Sequence, residues 1–165
     1  MRRLVSQVAF FSRSFASKCA SMHDQRRMHG SCIARDDDAV LIVGPSGAGK
    51  SDLALRMLSR GFALIADDQV QITDGVASCP TELAGLLEVR GIGIVRLPCR
   101  SAARLALVVE VGATPDRMPY PTTHPDLLLP LIRLDAAQPS APERLALALD
   151  CALGRIPQIA GAFAA

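Results

Sequence analysis

The chain has 165 residues, enough for one domain with a sizeable core and too few for two ordinary domains. Half of the residues are hydrophobic, but only one is Tyr and none is Trp, so we expect an aliphatic core. The net charge of +2 is too small to indicate nucleic acid or a membrane surface as the partner, and no apolar run approaches the length of a membrane span. The five cysteines are scattered without a CxxC pair, which favours buried thiols in a reducing cytoplasm over disulfides or a zinc site.

The first 28 residues differ in composition from the rest of the chain. Between Met1 and Ala20 they carry four basic residues and no acidic one, around the apolar cluster Val8-Ala9-Phe10-Phe11. Such a segment is compatible with a mitochondrial transit peptide or a poor signal peptide. We favour a disordered extension, or translation from an upstream start codon, because nothing in it can form a core alone. We therefore expect a domain over residues 29–155 and a tail over 156–165.

Residues 44–51 read GPSGAGKS and fit the GxxxxGK[ST] phosphate-binding loop. An apolar strand over 39–43 precedes the loop and an amphipathic helix to about Arg60 follows it, which is the order that the motif needs. Glycines let the backbone turn its N–H groups toward phosphate oxygens at the positive end of the helix. The predicted nucleotide-binding residues are Gly44, Pro45, Ser46, Gly47, Ala48, Gly49, Lys50, which reaches the β- and γ-phosphates, and Ser51, whose hydroxyl binds Mg²⁺.

The second signal is the acidic pair Asp67-Asp68, directly after an apolar strand over 62–66. A right-handed strand-helix-strand crossover makes this strand parallel to the first, so the pair lies at the same sheet edge as the phosphate loop. Because neighbouring side chains on a strand alternate faces, we expect one aspartate to face the γ-phosphate and the other to support metal or backbone. A solvated acidic turn is the alternative, which the loop context disfavours.

Further elements follow in chain order. Residues 70–78 read as a hairpin turning at Asp74-Gly75, and strands are expected over 86–90, 94–97 and 105–111. A loop with four prolines spans 114–125. Ser140 and Glu143 suggest a capping box for a last helix that ends before Gly154. The predicted fold is α/β, bordering on α+β, with a mixed sheet and few helices.

Residues 86–94 contain a second unusual pattern. Glu88 and Arg90 share one face of a strand, with glycines directly after them. The acid could bind Mg²⁺ and the guanidinium could neutralise transferring phosphate, although spacing alone favours an exposed ion pair. His29, Arg117 and His124 are weaker candidates that spacing does not single out.

Three segments taken in order resemble one family. GPSGAGKS (44–51), RGFALIADD (60–68) and LLEVRGIGIV (86–95) are similar to the C-terminal catalytic domain of HPr kinase/phosphorylase, most closely its short form from alphaproteobacteria. The resemblance covers about residues 29–155. It implies a single P-loop nucleotide-binding domain that is PEP-carboxykinase-like, and it favours the metal role of Glu88 over the surface ion pair.

The resemblance also implies a function. It suggests a cytoplasmic, homo-oligomeric kinase that uses ATP and Mg²⁺ to phosphorylate a serine of the phosphocarrier protein HPr in a phosphotransferase system, with phosphorolysis of the seryl-phosphate in many members. The roles carried over by position are phosphate binding by Lys50, Mg²⁺ binding by Ser51 and Glu88, proton acceptance by Asp68, and active-site positions for His29 and Arg117.

The sequence departs from the long form of the family in two ways. It lacks the long form's N-terminal domain, and residues 129–134 keep only a proline and one arginine of the loop tied to dephosphorylation, so the reverse activity is in doubt. A non-catalytic ATP-sensing module and a small-molecule kinase therefore remain open as alternatives.

Overall fold

The computed structural model describes residues 25–164, which contain ten strands, two α-helices, the short 3-10 turn Thr81–Leu83 and connecting loops. The bounds are β1 Gln25–His29, β2 Ser31–Arg35, β3 Asp38–Val43, α1 Lys50–Leu58, β4 Ala63–Ala66, β5 Gln69–Thr73, β6 Val76–Ser78, β7 Leu86–Val89, β8 Gly93–Arg96, β9 Ala102–Val111, β10 Leu131–Leu134 and α2 Ala141–Ala152. Seven strands form a sheet in the order β1-β5-β6-β9-β3-β2-β4, β10 joins it beside β9, and β7 and β8 pair separately. The predicted mixed α/β fold with few helices is confirmed.

The topology places the ends of β3 and β4 at one edge of the main sheet. β2 runs antiparallel to both strands and lies between them, so β3 and β4 are parallel to each other, as the crossover rule predicts. The loop over 44–49 follows β3, and Asp67-Asp68 follows β4. The fold thus brings the glycine loop and the aspartate pair to the same edge.

The core is aliphatic and lies on both faces of the sheet. Along β3, Val40 and Ile42 face the helices, where they pack with Leu53, Met57 and Leu145. Ala39 and Leu41 belong to a second cluster on the opposite face. This two-residue alternation is the normal consequence of strand geometry. Packing on both faces of the sheet therefore holds β3, the strand that leads into the glycine loop.

The turns and loops between these elements mostly agree with those predicted from the sequence. Asp74 and Gly75 form the turn between β5 and β6 with positive φ angles of 51° and 78°, as a two-residue hairpin requires. The proline-rich stretch is a loop, and Gly61 has the left-handed conformation expected just past α1. Between residues 25 and 164, the structure contains no helix of the length and apolarity that a membrane span needs.

Three expectations about the elements need correction, and two strands were not expected. β1 begins at Gln25, inside the predicted extension, because it pairs with β5 along its whole length; residues 1–24 lie outside the described part. β2 and β10 were not predicted. The predicted tail packs onto the core through Ala162, which is buried. The capping box is absent, because the Ser140 side chain makes no capping bond and Glu143 instead pairs with Arg60 at 2.6 Å.

The described cysteines are free thiols, but the expectation that they are buried holds only for Cys32. Cys32 is fully buried on β2, and this burial raises the pKa of its thiol far above the ordinary value. Burial also raises the pKa of Cys79, with smaller contributions from Cys99 and Glu82. Cys99 is exposed, so the four thiols differ widely in accessibility; Cys19 lies outside the described residues.

Candidate active site

The glycine loop passes very close to a neighbouring strand. A Cβ atom on Gly44 would lie 2.3 Å from the carbonyl oxygen of Val111 on β9, and the φ angle of Gly44 is +145°. Gly49, with φ of +90°, immediately precedes the first turn of α1. Only glycine fits such a backbone at Gly44, because any side chain would collide with main-chain atoms. The loop therefore has the tight path that a phosphate cradle needs.

The Lys50 side chain bonds back to the start of the glycine loop. Its side chain is buried, and its ammonium donates to the carbonyl oxygens of Gly44 at 2.9 Å and Pro45 at 3.0 Å. A buried ammonium needs such acceptors because desolvation is otherwise costly. The positive charge is thereby fixed inside the loop, at the position where the sequence predicts phosphate.

Asp67 lies buried between β2 and α1. Its carboxylate accepts hydrogen bonds from the Ser51 hydroxyl, with both oxygens 3.0 Å away, and from the Ser31 hydroxyl at 2.5 Å. Ser51 is the first-turn residue to which the sequence gives a metal role. Asp67 thus fixes the direction in which Ser51 points its proton, and leaves the oxygen lone pairs of Ser51 available to the cavity.

Asp68 points elsewhere. It has a positive φ of 72°, and its exposed carboxylate lies 2.9 Å from Nδ1 of His29. The same Nδ1 is 3.0 Å from the backbone carbonyl oxygen of Asp68. The two neighbouring aspartates therefore diverge, with Asp67 turned to Ser51 and Asp68 turned to His29. Both lie past the end of β4 at Ala66, so the divergence belongs to the turn and not to the alternation of side chains along a strand.

These groups line one cavity of about 670 Å³. Its walls come from the glycine loop, the start of α1, the ends of β1 and β4, and the separate β7–β8 hairpin. Among the predicted site residues, the cavity is lined by Ser46, Gly47, Ala48, Gly49, Lys50, Ser51, Asp68, His29 and Glu88. Asp67 and Arg90 line it as well.

The β7–β8 hairpin covers the loop from the side. Glu88 on β7 and Arg90 directly after that strand both line the cavity, as do Leu87 and Val89 between and beside them. The Arg90 guanidinium lies 3.7 Å from the position of a Cβ built on Gly47. An acid and a cation therefore approach the loop from one short hairpin.

Arg117 does not join this group. It is exposed in the loop between β9 and β10 and does not line the cavity. His124 lies in the same loop, where its Nδ1 accepts backbone hydrogen bonds from Asp126 and Leu127 at 3.3 and 3.4 Å. His124 is thus a loop residue, whereas the structure gives no cavity contact to Arg117.

Ser31 is the residue that sequence reasoning missed. It is fully buried, and it follows His29 by two positions. The available signal was its place at the start of an apolar stretch, directly after a histidine and a glycine. Without the topology, nothing in the sequence pairs Ser31 with Asp67, 36 positions away.

The donor chemistry of the cavity fits Mg²⁺ bound together with a nucleotide. Ser51, Asp67, Asp68 and Glu88 supply oxygen atoms, which are the ligands that Mg²⁺ prefers. Among residues 25–164, no three acid, histidine or cysteine side chains converge as a ready-made metal cage. Mg²⁺ commonly uses one or two protein oxygens together with substrate phosphates, so this arrangement matches that mode.

Comparison with known proteins identifies related sequences. Residues 20–99 match the family model described as the HPr Serine kinase C-terminal domain. The HPr kinase/phosphorylase of Bordetella pertussis is 39% identical over 131 residues, covering 69% of this chain and 42% of the relative. That of Polaromonas sp. is 32% identical over 163 residues, covering 88% of this chain and 49% of the relative. The chain thus spans less than half the length of these curated relatives.

A solved structure shares the fold. The Hpr(Ser) kinase/phosphatase from Coxiella burnetii superposes with a TM-score of 0.60 at 21% identity, covering 79% of this chain and 89% of that chain. The agreement supports the mixed sheet with few helices described above.

Proposed function

Because residues 20–99 belong to the HPr serine kinase C-terminal domain family, we propose that the chain is a cytoplasmic, ATP- and Mg²⁺-dependent serine kinase that acts on an HPr-type phosphocarrier protein of a phosphotransferase system. The observation that carries the proposal is the shared cavity. Loop residues 46–51 form one wall, and the His29–Asp68 pair stands at the same edge of the sheet.

ATP binds through the glycine loop. Backbone N–H groups of the loop and the N-terminus of α1 supply partial positive charge for the phosphates. The Lys50 ammonium exchanges the Gly44 and Pro45 carbonyl oxygens that it contacts here for phosphate oxygens. This exchange needs only rotation of the lysine side chain, because the loop already has its closed path.

Ser51 and Glu88 hold Mg²⁺ beside the phosphates. Ser51 offers an oxygen whose proton is directed to Asp67, and Glu88 approaches from the β7–β8 hairpin. Bound Mg²⁺ supplies charge neutralisation of the phosphate oxygens during transfer. Arg90, which lies beside Gly47, adds a second positive charge at the glycine loop. An active-site role for Arg117 would need the 112–130 loop to bring it to the cavity.

Asp68 accepts the proton of the substrate serine. As the serine oxygen bonds to the γ-phosphorus, the bond from that phosphorus to the bridging oxygen breaks and ADP leaves. The serine proton passes to the Asp68 carboxylate, which is exposed to the cavity. In the reverse direction Asp68 returns this proton to the serine oxygen, so any phosphorolysis uses the same group.

His29 orients the base. Its Nδ1 contacts both the carboxylate and the backbone carbonyl of Asp68. Two contacts from one ring hold the side chain relative to its own backbone. A carboxylate held in this way loses less freedom when it receives the proton.

The proposal is tested with labelled ATP, Mg²⁺ and HPr-type proteins, followed by mass mapping of any phosphoserine. We expect label on one serine, and none on the same protein with that serine changed to Ala. Nucleotide binding without transfer to any HPr-type protein would favour the ATP-sensing module. Label that appears only on small molecules would favour the small-molecule kinase.

A further inference from the structure

The geometry points to Ser31 as a positioning residue for the metal-binding side of the site, acting through Asp67. This inference rests on the proposed function, since it concerns how Mg²⁺ is held with the nucleotide. Ser31 is the first residue of β2 and is fully buried. Its hydroxyl lies 2.5 Å from Oδ1 of Asp67, closer than the 3.0 Å of the Ser51 hydroxyl.

Burial of this serine is unusual within the fold. Among the described residues, the buried polar or charged side chains are Ser31, Asp38, Lys50 and Asp67. Asp38 pairs with two arginines at the other end of β3, and the remaining three converge on the glycine loop. Buried polar groups destabilise a fold unless they are hydrogen-bonded, so their convergence at one place indicates a local requirement.

The donor count explains what Ser31 contributes. A carboxylate only accepts hydrogen bonds, and each serine hydroxyl has one proton to give. Ser31 holds Oδ1 of Asp67 from the β2 side, and Ser51 approaches both oxygens from α1. With Ser31 in place, Asp67 cannot rotate away from Ser51 without losing a buried bond. Asp67 therefore fixes the Ser51 proton, and the Ser51 oxygen faces the cavity.

The backbone around Ser31 is held independently of its hydroxyl. β2 pairs with β3 from Ser31 to Arg35 and with β4 on its other side. The Gly30 N–H donates to the carbonyl oxygen of Asp68 at 3.2 Å. Removal of the hydroxyl alone should therefore leave the fold and the glycine loop intact, and should act on the Asp67 carboxylate.

The test measures binding of a fluorescent ATP analogue with Mg²⁺ and with EDTA. For Ser31→Ala we expect the gain in affinity from Mg²⁺ to fall by about 10-fold, as for other residues that orient metal ligands, with binding in EDTA unchanged. Ser31→Thr, which keeps the hydroxyl, should restore the parent's gain. The control is Cys32→Ala, a buried change on the same strand but on the face away from α1, which should leave the gain unchanged.

A double-mutant cycle separates positioning from general packing. If Ser31 acts through Asp67, Ser31→Ala should have no further effect on the Mg²⁺ gain in an Asp67→Asn background. The inference is overturned if Ser31→Ala keeps the parent's Mg²⁺ gain, if it weakens binding equally in Mg²⁺ and EDTA, or if its effect adds fully to that of Asp67→Asn. A parent protein that binds no nucleotide at all would instead overturn the proposed function, and this inference with it.

Discussion

Nδ1 of His29 lies 2.9 Å from Oδ1 of Asp68 and 3.0 Å from the carbonyl oxygen of the same residue. Both partners are acceptors, so Nδ1 carries the proton in this arrangement. β1 and β4 are distant in the chain, and the contact joins the end of one to the residue pair that follows the other. The relationship gives His29 a defined partner, which spacing alone could not supply.

The first prediction concerns His29. His29→Ala should lower the rate of phosphate transfer on the order of 10²-fold, because the Asp68 carboxylate loses its orientation. Nucleotide affinity should be unchanged, since the side-chain contacts of His29 are with Asp68. Single-turnover transfer and equilibrium nucleotide binding measure the two effects, and His124→Ala, at a histidine that does not line the cavity, serves as the control. If His29→Ala transfers phosphate at the parental rate, His29 does not orient the Asp68 carboxylate.

A second prediction concerns the path of the glycine loop. Gly44→Ala should lower the free energy of unfolding by roughly 3 kcal/mol or more, since its Cβ would lie 2.3 Å from the carbonyl oxygen of Val111. Gly61→Ala is the matched control, because Gly61 also has a positive φ but has open space around it. It should cost about 1 kcal/mol from backbone strain alone. Urea unfolding compares the two variants, and equal losses would contradict the role of the Val111 contact.

The sequence predicted the parts of the site that depend on local chemistry. The glycine loop, the aspartate pair and the parallel relation of their strands follow from a motif and from the handedness of a crossover. β2 was not predicted, because the Asp36–Asp38 run beside it resembles an acidic loop. The Ser31–Asp67 contact depends on the pairing of β2 with β4, and the His29–Asp68 contact depends on the pairing of β1 with β5, in which His29 lies opposite Gln69. Long-range pairing of this kind leaves no periodic signal in the chain.

The third prediction concerns the thiols. Burial raises the pKa of Cys32, so its thiol stays protonated at mildly alkaline pH and unreactive in the native state. In iodoacetamide at about pH 8, where an ordinary thiol begins to ionise, Cys99 should react first, Cys79 more slowly and Cys32 not at all. Mass mapping of a time course gives the order. Equal labelling of Cys32 and Cys99 in the folded protein would contradict the burial.

The raised pKa of Cys32 also has a consequence for stability. The folded state holds this proton more tightly than the unfolded state, so folding stability should be unaffected below the ordinary thiol pKa of about 8.5 and should fall as the pH rises above it. Urea unfolding at several alkaline pH values measures this decline. Cys32→Ala should reduce it, and an equally steep decline in that variant would assign it to another group.

The fourth prediction concerns Glu88. Glu88→Gln should raise the Mg²⁺ concentration needed for nucleotide binding by about 10-fold, because an amide oxygen is a weaker ligand for Mg²⁺ than a carboxylate. Glu82→Gln, an exposed change on the short 3-10 turn at Thr81–Leu83, is the control. Titration of Mg²⁺ against a fluorescent nucleotide gives the comparison. If Glu88→Gln needs no more Mg²⁺ than the parent for nucleotide binding, Glu88 does not bind the metal.

The central claim is that Asp68 accepts the serine proton, and Asp68→Asn tests it most directly. Asp36→Asn is the matched control, because Asp36 is also an exposed aspartate with positive φ, at the β2–β3 turn at the opposite end of β3 from the loop. Transfer of labelled phosphate from ATP to an HPr-type protein is measured beside nucleotide affinity. We expect Asp68→Asn to bind nucleotide like the parent and to transfer phosphate at least about 10²-fold more slowly, with Asp36→Asn unchanged in both. Transfer by Asp68→Asn at the parental rate would contradict the account.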